Sequence, residues 1–143
     1  MREIKFRLWN KKCYCLSFLN EFDNETLFLS GNKIYEIYAG QSYDGSYLDI
    51  EDISDDYILM QYTCLKDKND KEIYEGDIVT LSYNGDCRLK IYTRTIIFEC
   101  GMFICASESG SGASLYSRVT QVTPPVFEVI GNIYENPELL DKE

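Results

Sequence analysis

The dipeptide Asn84-Gly85, set between the strand-like segments Ile78 to Tyr83 and Arg88 to Thr93, does most to constrain the fold. A two-residue hairpin turn needs positive φ at both central positions, and Asn-Gly accepts that geometry at little cost. The pair therefore predicts an antiparallel hairpin. The rest of the chain is punctuated in the same way. Ile4, Phe6 and Leu8 alternate with Glu3, Lys5, Arg7 and Trp9, the period of a half-buried strand. Ser30-Gly31-Asn32 marks a turn before Ile34 to Tyr38, and Asn69-Asp70 marks another after the apolar run Tyr57 to Leu65. Gly76 supplies a sharp turn into the strand that begins at Ile78. Thr95 to Cys100 and Met102 to Ala106 read as a strand pair about Gly101. Ser107 to Ser114 is rich in Gly and Ser and reads as a mobile connection, not as a phosphate loop, because the Gly-Lys-Ser/Thr ending is missing. Leu115 to Val122 and Val126 to Tyr134 are further strands, separated by Pro124-Pro125. Asn136 as a cap, Pro137 at the first helical position and Glu138-Leu139-Leu140 make a short terminal helical turn. The expectation is an all-β, mainly antiparallel fold, a sandwich or small SH3-like barrel lobes, with short helical segments. The 143 residues form one domain; an arrangement as two lobes joined by an acidic segment near 40–57 is the alternative.

A chain of this length, 45% apolar, buries enough surface to fold without disulfides or a structural metal. It has no histidine, which removes the Ser-His-Asp triad, the Cys-His pair and every His-containing zinc site. No catalytic constellation, cofactor motif or metal motif is recognisable, so no catalytic, cofactor-binding or metal residue is assigned. With 24 acidic and 14 basic residues the net charge is -10, an argument against coating phosphate backbones. The opening Met1-Arg2-Glu3 leads straight into a strand pattern, and the longest apolar run falls far short of the ~20 residues a membrane helix needs. A soluble cytosolic protein is expected. In that compartment the six cysteines (13, 15, 64, 87, 100 and 105) are expected as reduced thiols, with Cys13 and Cys15 on one face of a strand.

Charge is segregated along the chain. Residues 1–12 hold five basic groups and one acid, whereas no basic residue lies between Lys33 and Lys66. That interval carries seven acids: Glu36, Asp44, Asp49, Glu51, Asp52, Asp55 and Asp56. The plain reading is a solvated loop or short helix. The functional reading is an acidic interaction patch of Asp44, Asp49, Glu51, Asp52, Asp55 and Asp56, with Tyr43, Tyr47 and Tyr57 as aromatic contacts. Several carboxylates could also hold Mg²⁺ or Ca²⁺, but the EF-hand spacing is not met. Glu75-Gly76-Asp77-Ile78-Val79 looks like the turn entering a strand of an SH3-like barrel, and Lys66, Lys68 and Lys71 read as a solvated loop. Twelve tyrosines suit either contact surfaces or half-buried sheet faces.

Three blocks, Arg2 to Trp9, Met60 to Val79 and Val129 to Leu140, together resemble the YopX family of small phage and prophage proteins in order and position. The central block, with its Leu65-Lys66-Asp67-Lys68-Asn69-Asp70-Lys71-Glu72-Ile73-Tyr74-Glu75-Gly76-Asp77-Ile78-Val79 run, is the most specific. Cys64 and Asp70 depart from it, standing where the family pattern has glycine. If the backbone there has positive φ, Cys64 is strained, whereas Asp70 is a mild change. The resemblance implies a phage or prophage origin in a bacterial host cell, a mainly β fold and self-assembly into a homo-oligomer; it supplies no catalytic residues. The leading functional expectation is thus a non-enzymatic accessory protein acting through association, chiefly with itself. An acidic nucleic-acid mimic or inhibitor, bound to a host protein with a basic surface, is the alternative. A metal-dependent enzyme using the acidic segment is third.

Overall fold

The computed structural model describes residues 3–18, 26–30, 33–85, 88–106, 112–114 and 126–140. Among them run β1 (Phe6–Asn10), β2 (Cys15–Phe18), β3 (Thr26–Ser30), β4 (Lys33–Ser42), β5 (Gly45–Asp52) and β6 (Tyr57–Lys66). These are followed by β7 (Glu72–Tyr74), β8 (Asp77–Gly85), β9 (Arg88–Glu99), β10 (Met102–Ala106), β11 (Gly112–Ser114) and β12 (Val126–Asn132). Two 3-10 turns, Ser54–Asp56 and Pro137–Leu139, are the helical content of these residues, so the fold is all-β as expected. The chain divides into two compact units, one of Lys5–Met60 and one of Met1–Ile4 with Gln61–Glu143.

In the unit Lys5–Met60, β1 lies between β2 and β6 in sheet order, while β3, β4 and β5 form a separate antiparallel sheet in that order. The alternation expected for the first strand fails in an instructive way. Arg7, Leu8 and Trp9 are all buried, and Ile4 is exposed. A strand with neighbours on both edges and both faces covered loses its alternation, because neither face meets water. Leu8, Ile34 and Ile53 form the core, with Leu29, Tyr57 and Leu59 packed against it. The 3-10 turn is clasped to β4: Ile53 N donates to Ile34 O at 3.0 Å, and Ile34 N donates to Ser54 Oγ at 2.9 Å. The acidic interval between Lys33 and Lys66, read plainly as a solvated loop or short helix, holds instead the β4–β5 hairpin, and residues 40–57 lie within this unit. Their acids dominate the composition, but Tyr47-Leu48-Asp49-Ile50-Glu51 keeps the period of two that a strand needs.

The cysteine expectation is also corrected here. Residues 11–14 form a turn, not a strand, and Cys13 and Cys15 are exposed and joined as a disulfide, with Cα atoms 5.5 Å apart. Asn10 Oδ1 accepts hydrogen bonds from Lys12 N and Cys13 N, which is why the chain reverses at this point.

In the other unit, β11, β10, β9, β8 and β12 make one five-stranded sheet in that order, and the end of β6 pairs with β7. One face gathers Val79, Leu81, Ile96, Cys105, Phe127 and Val129 with Ile73 into the core. The Asn84-Gly85 hairpin exists, but its reversal is displaced. Asn84 pairs with Leu89 and Gly85 with Arg88, so both are strand positions and the connection falls at 86–87, outside the described residues. Packing fixes that register, since it places Ile96 against Cys105 and among the buried side chains of β8 and β12. The other hairpin matches its expectation closely: Glu99 pairs with Met102, and Cys100 and Gly101 have φ of 51° and 79°, both positive as a tight two-residue turn requires. Gly112–Ser114, expected within a mobile connection, pairs with β10. The strand expected over Leu115 to Val122 and most of the Gly/Ser stretch lie outside the described residues.

The segment 66–71 is docked, not simply solvated. Asp67 is buried; its Oδ1 accepts from Asn69 N at 2.7 Å and Lys71 N at 3.0 Å, and its Oδ2 accepts from Val129 N at 3.0 Å. Lys68 N donates to Phe127 O, and Lys68 Nζ meets Glu128 at 2.8 Å. Gly76, with φ of 79°, makes the turn into β8, and the buried Asp77 accepts from Tyr74 N at 2.7 Å. Asn136 precedes the last 3-10 turn without a side-chain cap bond, and its side chain closes over Gly131, where any Cβ would collide with it.

Candidate functional site

The acidic stretch is displayed on the β4–β5 hairpin, and its pairing sorts the side chains into two faces. Directly opposed residues of an antiparallel pair share a face. Tyr38 stands opposite Asp49, Gly40 opposite Tyr47 and Glu36 opposite Glu51, so one face combines tyrosines with carboxylates. Tyr38 Oη reaches Asp49 Oδ2 at 3.4 Å, and the Asp49 charge raises the phenol above its usual value of 10. The Tyr47 ring lies over Gly40, where a Cβ would run into it. Glu36 stands opposite Glu51, so two carboxylates share that face.

The other face is apolar. Ile37 stands opposite Ile50 and Ala39 opposite Leu48, with Leu48 76% and Ile50 57% exposed. At its base Lys33 Nζ pairs with Asp52 Oδ2 at 2.5 Å. The Lys33 bond, with further bonds from Ser54 Oγ and N, lowers the Asp52 carboxyl to about 2. Among the described residues β5 is an outer strand of its sheet, and all eight of its residues are exposed.

The six acids of the candidate patch thus separate. Asp44 stands at the hairpin tip beside the fully exposed Tyr43, and Asp49 and Glu51 project from the tyrosine face. Asp52 is neutralised by Lys33. Asp56 is paired with Lys12 at 2.5 Å, and Lys11 Nζ donates to the Asp55 carbonyl at 2.8 Å. Tyr57, expected as a surface contact, is half-buried against the Leu8, Ile34 and Ile53 core; it begins β6, and its ring completes that core. Sequence reasoning missed Leu48 and Ile50, although their alternation with Tyr47, Asp49 and Glu51 carried the signal. Among the described residues no group of three or more Cys, Asp or Glu side chains gathers closely enough to hold a metal ion. No helix among them is long and apolar enough to cross a membrane.

A family model described as YopX protein matches residues 5–141. Two solved structures are similar along nearly their whole length. A protein of Enterococcus faecalis is 26% identical with a TM-score of 0.58, covering 98% of this chain and 99% of that one. Protein YopX of Bacillus subtilis is 20% identical with a TM-score of 0.60, covering 95% of each chain, a likeness of fold. No curated protein sequence matches the chain.

Proposed function

The chain belongs to the YopX family, and from that premise we propose that it is a non-enzymatic accessory protein of a bacteriophage or prophage, working in the bacterial cytoplasm by associating with copies of itself along β5. The observation that carries this is β5, an outer strand among the described residues, exposed at all eight positions with an apolar face beside it. An edge strand of this length offers unpaired N–H and C=O groups to any strand that can lie beside it. A second β5 suits that place. Antiparallel pairing about a two-fold axis through Leu48 sets Asp49 opposite Tyr47, Ile50 opposite Ser46 and Glu51 opposite Gly45, so that acids meet only at the two ends, Asp52 opposite Asp44. The apolar faces, with Leu48 and Ile50, then become one continuous surface.

Sedimentation velocity over a hundredfold concentration range tests the proposal. Reversible growth to a dimer or larger species is expected, abolished by Leu48→Lys with Ile50→Lys. Both side chains are exposed, so the double variant keeps its fold. A strict monomer at every concentration overturns the reading. The mimicry reading has one observation in its favour, the shared face of Tyr38, Tyr47, Asp49 and Glu51, and its partner would be a host protein with a basic surface.

A further inference from the structure

The chain carries one covalent bond that its fold does not require. Cys13 and Cys15 are exposed at the turn between β1 and β2, and only Tyr14 separates them. A disulfide stabilises a protein chiefly by restricting its unfolded chain, and the effect is smallest for the shortest loops. The turn is also held without it. Asn10 Oδ1 accepts from Lys12 N and Cys13 N, Lys11 N donates to Asp56 O at 2.9 Å, and Lys12 Nζ pairs with Asp56. Opening the bond would therefore leave both sulfurs on a preformed turn, near enough to close again.

From this geometry we propose that Cys13 and Cys15 form a reversible thiol–disulfide site that exchanges electrons with monothiols from solvent. The thiolate of one monothiol attacks either sulfur, forming a mixed disulfide and releasing the other cysteine as a thiolate that takes a proton from water. A second monothiol thiolate attacks the mixed disulfide. The monothiols leave as their own disulfide, having given up two electrons, and both cysteines are left as thiols. Exposure gives the incoming thiolate its line of approach.

The site has a built-in reporter. Tyr14 is held at φ of 54°, a conformation that a residue with a Cβ adopts reluctantly, and its ring packs edge-on against Trp9, with centroids 6.4 Å apart. Trp9 is the only tryptophan of the chain. Opening the ring through Cys13 and Cys15 loosens the hold on the Tyr14 side chain against the indole while the turn persists, so Trp9 emission follows the redox state.

The test uses the full chain equilibrated anaerobically in glutathione buffers from reducing to oxidising, approached from both ends. Thiols are trapped by alkylation, the peptide holding residues 13–15 is quantified by mass spectrometry, and Trp9 emission is read on the same samples. Interconversion between dithiol and internal disulfide is expected, with one midpoint from both directions and an emission change at that midpoint. A pair that stays in one state across the series, or that accumulates chiefly as glutathione mixed disulfides, overturns the proposal. Cys13→Ser and Cys15→Ser should each abolish the redox dependence of the emission while leaving thermal stability within a few degrees. If the emission change survives in both variants it arises at another cysteine, and the proposal fails.

Discussion

Cys64 and Asp70 have φ of 66° and 64°, the left-handed region that glycine enters without cost. Glycine is the residue this geometry favours at both positions, so each side chain there carries a backbone cost. Asp70 tolerates the region because a short polar side chain can. Cys64 is costlier. It occupies the register shift of β6 between Tyr62 and Lys66, and its Sγ donates to Glu3 O at 3.2 Å. Cys64→Gly is expected to raise stability by about 1 kcal/mol in urea unfolding, because relief of the strained φ exceeds a weak thiol hydrogen bond. A loss of stability would show that the Glu3 contact outweighs the strain. Asp67 poses the opposite question. Burial favours its neutral form, but backbone donors from Val129, Asn69 and Lys71 prevail and hold its pKa below the usual 3.8. A carboxyl whose folded pKa is depressed contributes stability above its unfolded value, and that contribution is lost as pH falls through the folded one. Asp67→Asn should therefore cost about 2–4 kcal/mol at pH 7. The loss of stability seen on acidifying below about pH 4 should then be smaller in the variant than in the parent. Equal acid limbs in the two proteins would sink this assignment.

Among the elements, the displaced hairpin of β8 and β9 separates local preference from packing. If Asn84-Gly85 were the centre of the turn, Gly85→Thr would place a β-branched residue at positive φ and cost well over 1 kcal/mol. With Gly85 paired to Arg88, threonine is a strand residue in a strand position, and the expected change is within about 0.5 kcal/mol or slightly stabilising. Thermal unfolding of the variant decides between the registers. The same contrast explains what could be read beforehand. Turns that depend on a single residue's backbone were legible: Gly76, Asp70 and Gly101 all have the positive φ that their residue types suggest. What depends on distant neighbours was not. Arg7, Leu8 and Trp9 are buried at successive positions of β1, which no period of two foretells, and Ile96 sets the β8–β9 register through side chains on β10 and β12. At the candidate site the acids and tyrosines were visible from residue type alone. The hairpin that sorts Tyr38, Tyr47, Asp49 and Glu51 onto one face, opposite Leu48 and Ile50, was hidden because seven acids in the interval masked an alternation of two.

At the scale of the whole molecule, the net charge of -10 sets the two association readings against each other. Two copies meeting along β5 bring their most acidic stretches together, so repulsion opposes the contact while the apolar face and the backbone hydrogen bonds favour it. Salt shortens the reach of such repulsion, from about 30 Å at 0.01 M to about 8 Å at 0.15 M. Self-association should accordingly tighten as ionic strength rises, with the midpoint concentration in sedimentation falling severalfold between 20 and 300 mM salt, taken as roughly that span of screening. Capture of a basic partner by the same acids has the opposite sign, since there the charges attract and salt weakens the complex. The direction of the salt dependence therefore identifies which face of the hairpin carries the contact. Tightening points to Leu48, Ile50 and the edge of β5, and weakening points to Asp49, Glu51 and the tyrosines beside them. Substituting Asp49→Asn with Glu51→Gln sharpens the distinction. The double variant should associate with itself more strongly at low salt, where its parent is held apart, and the gain should vanish at high salt, where screening has already removed the difference.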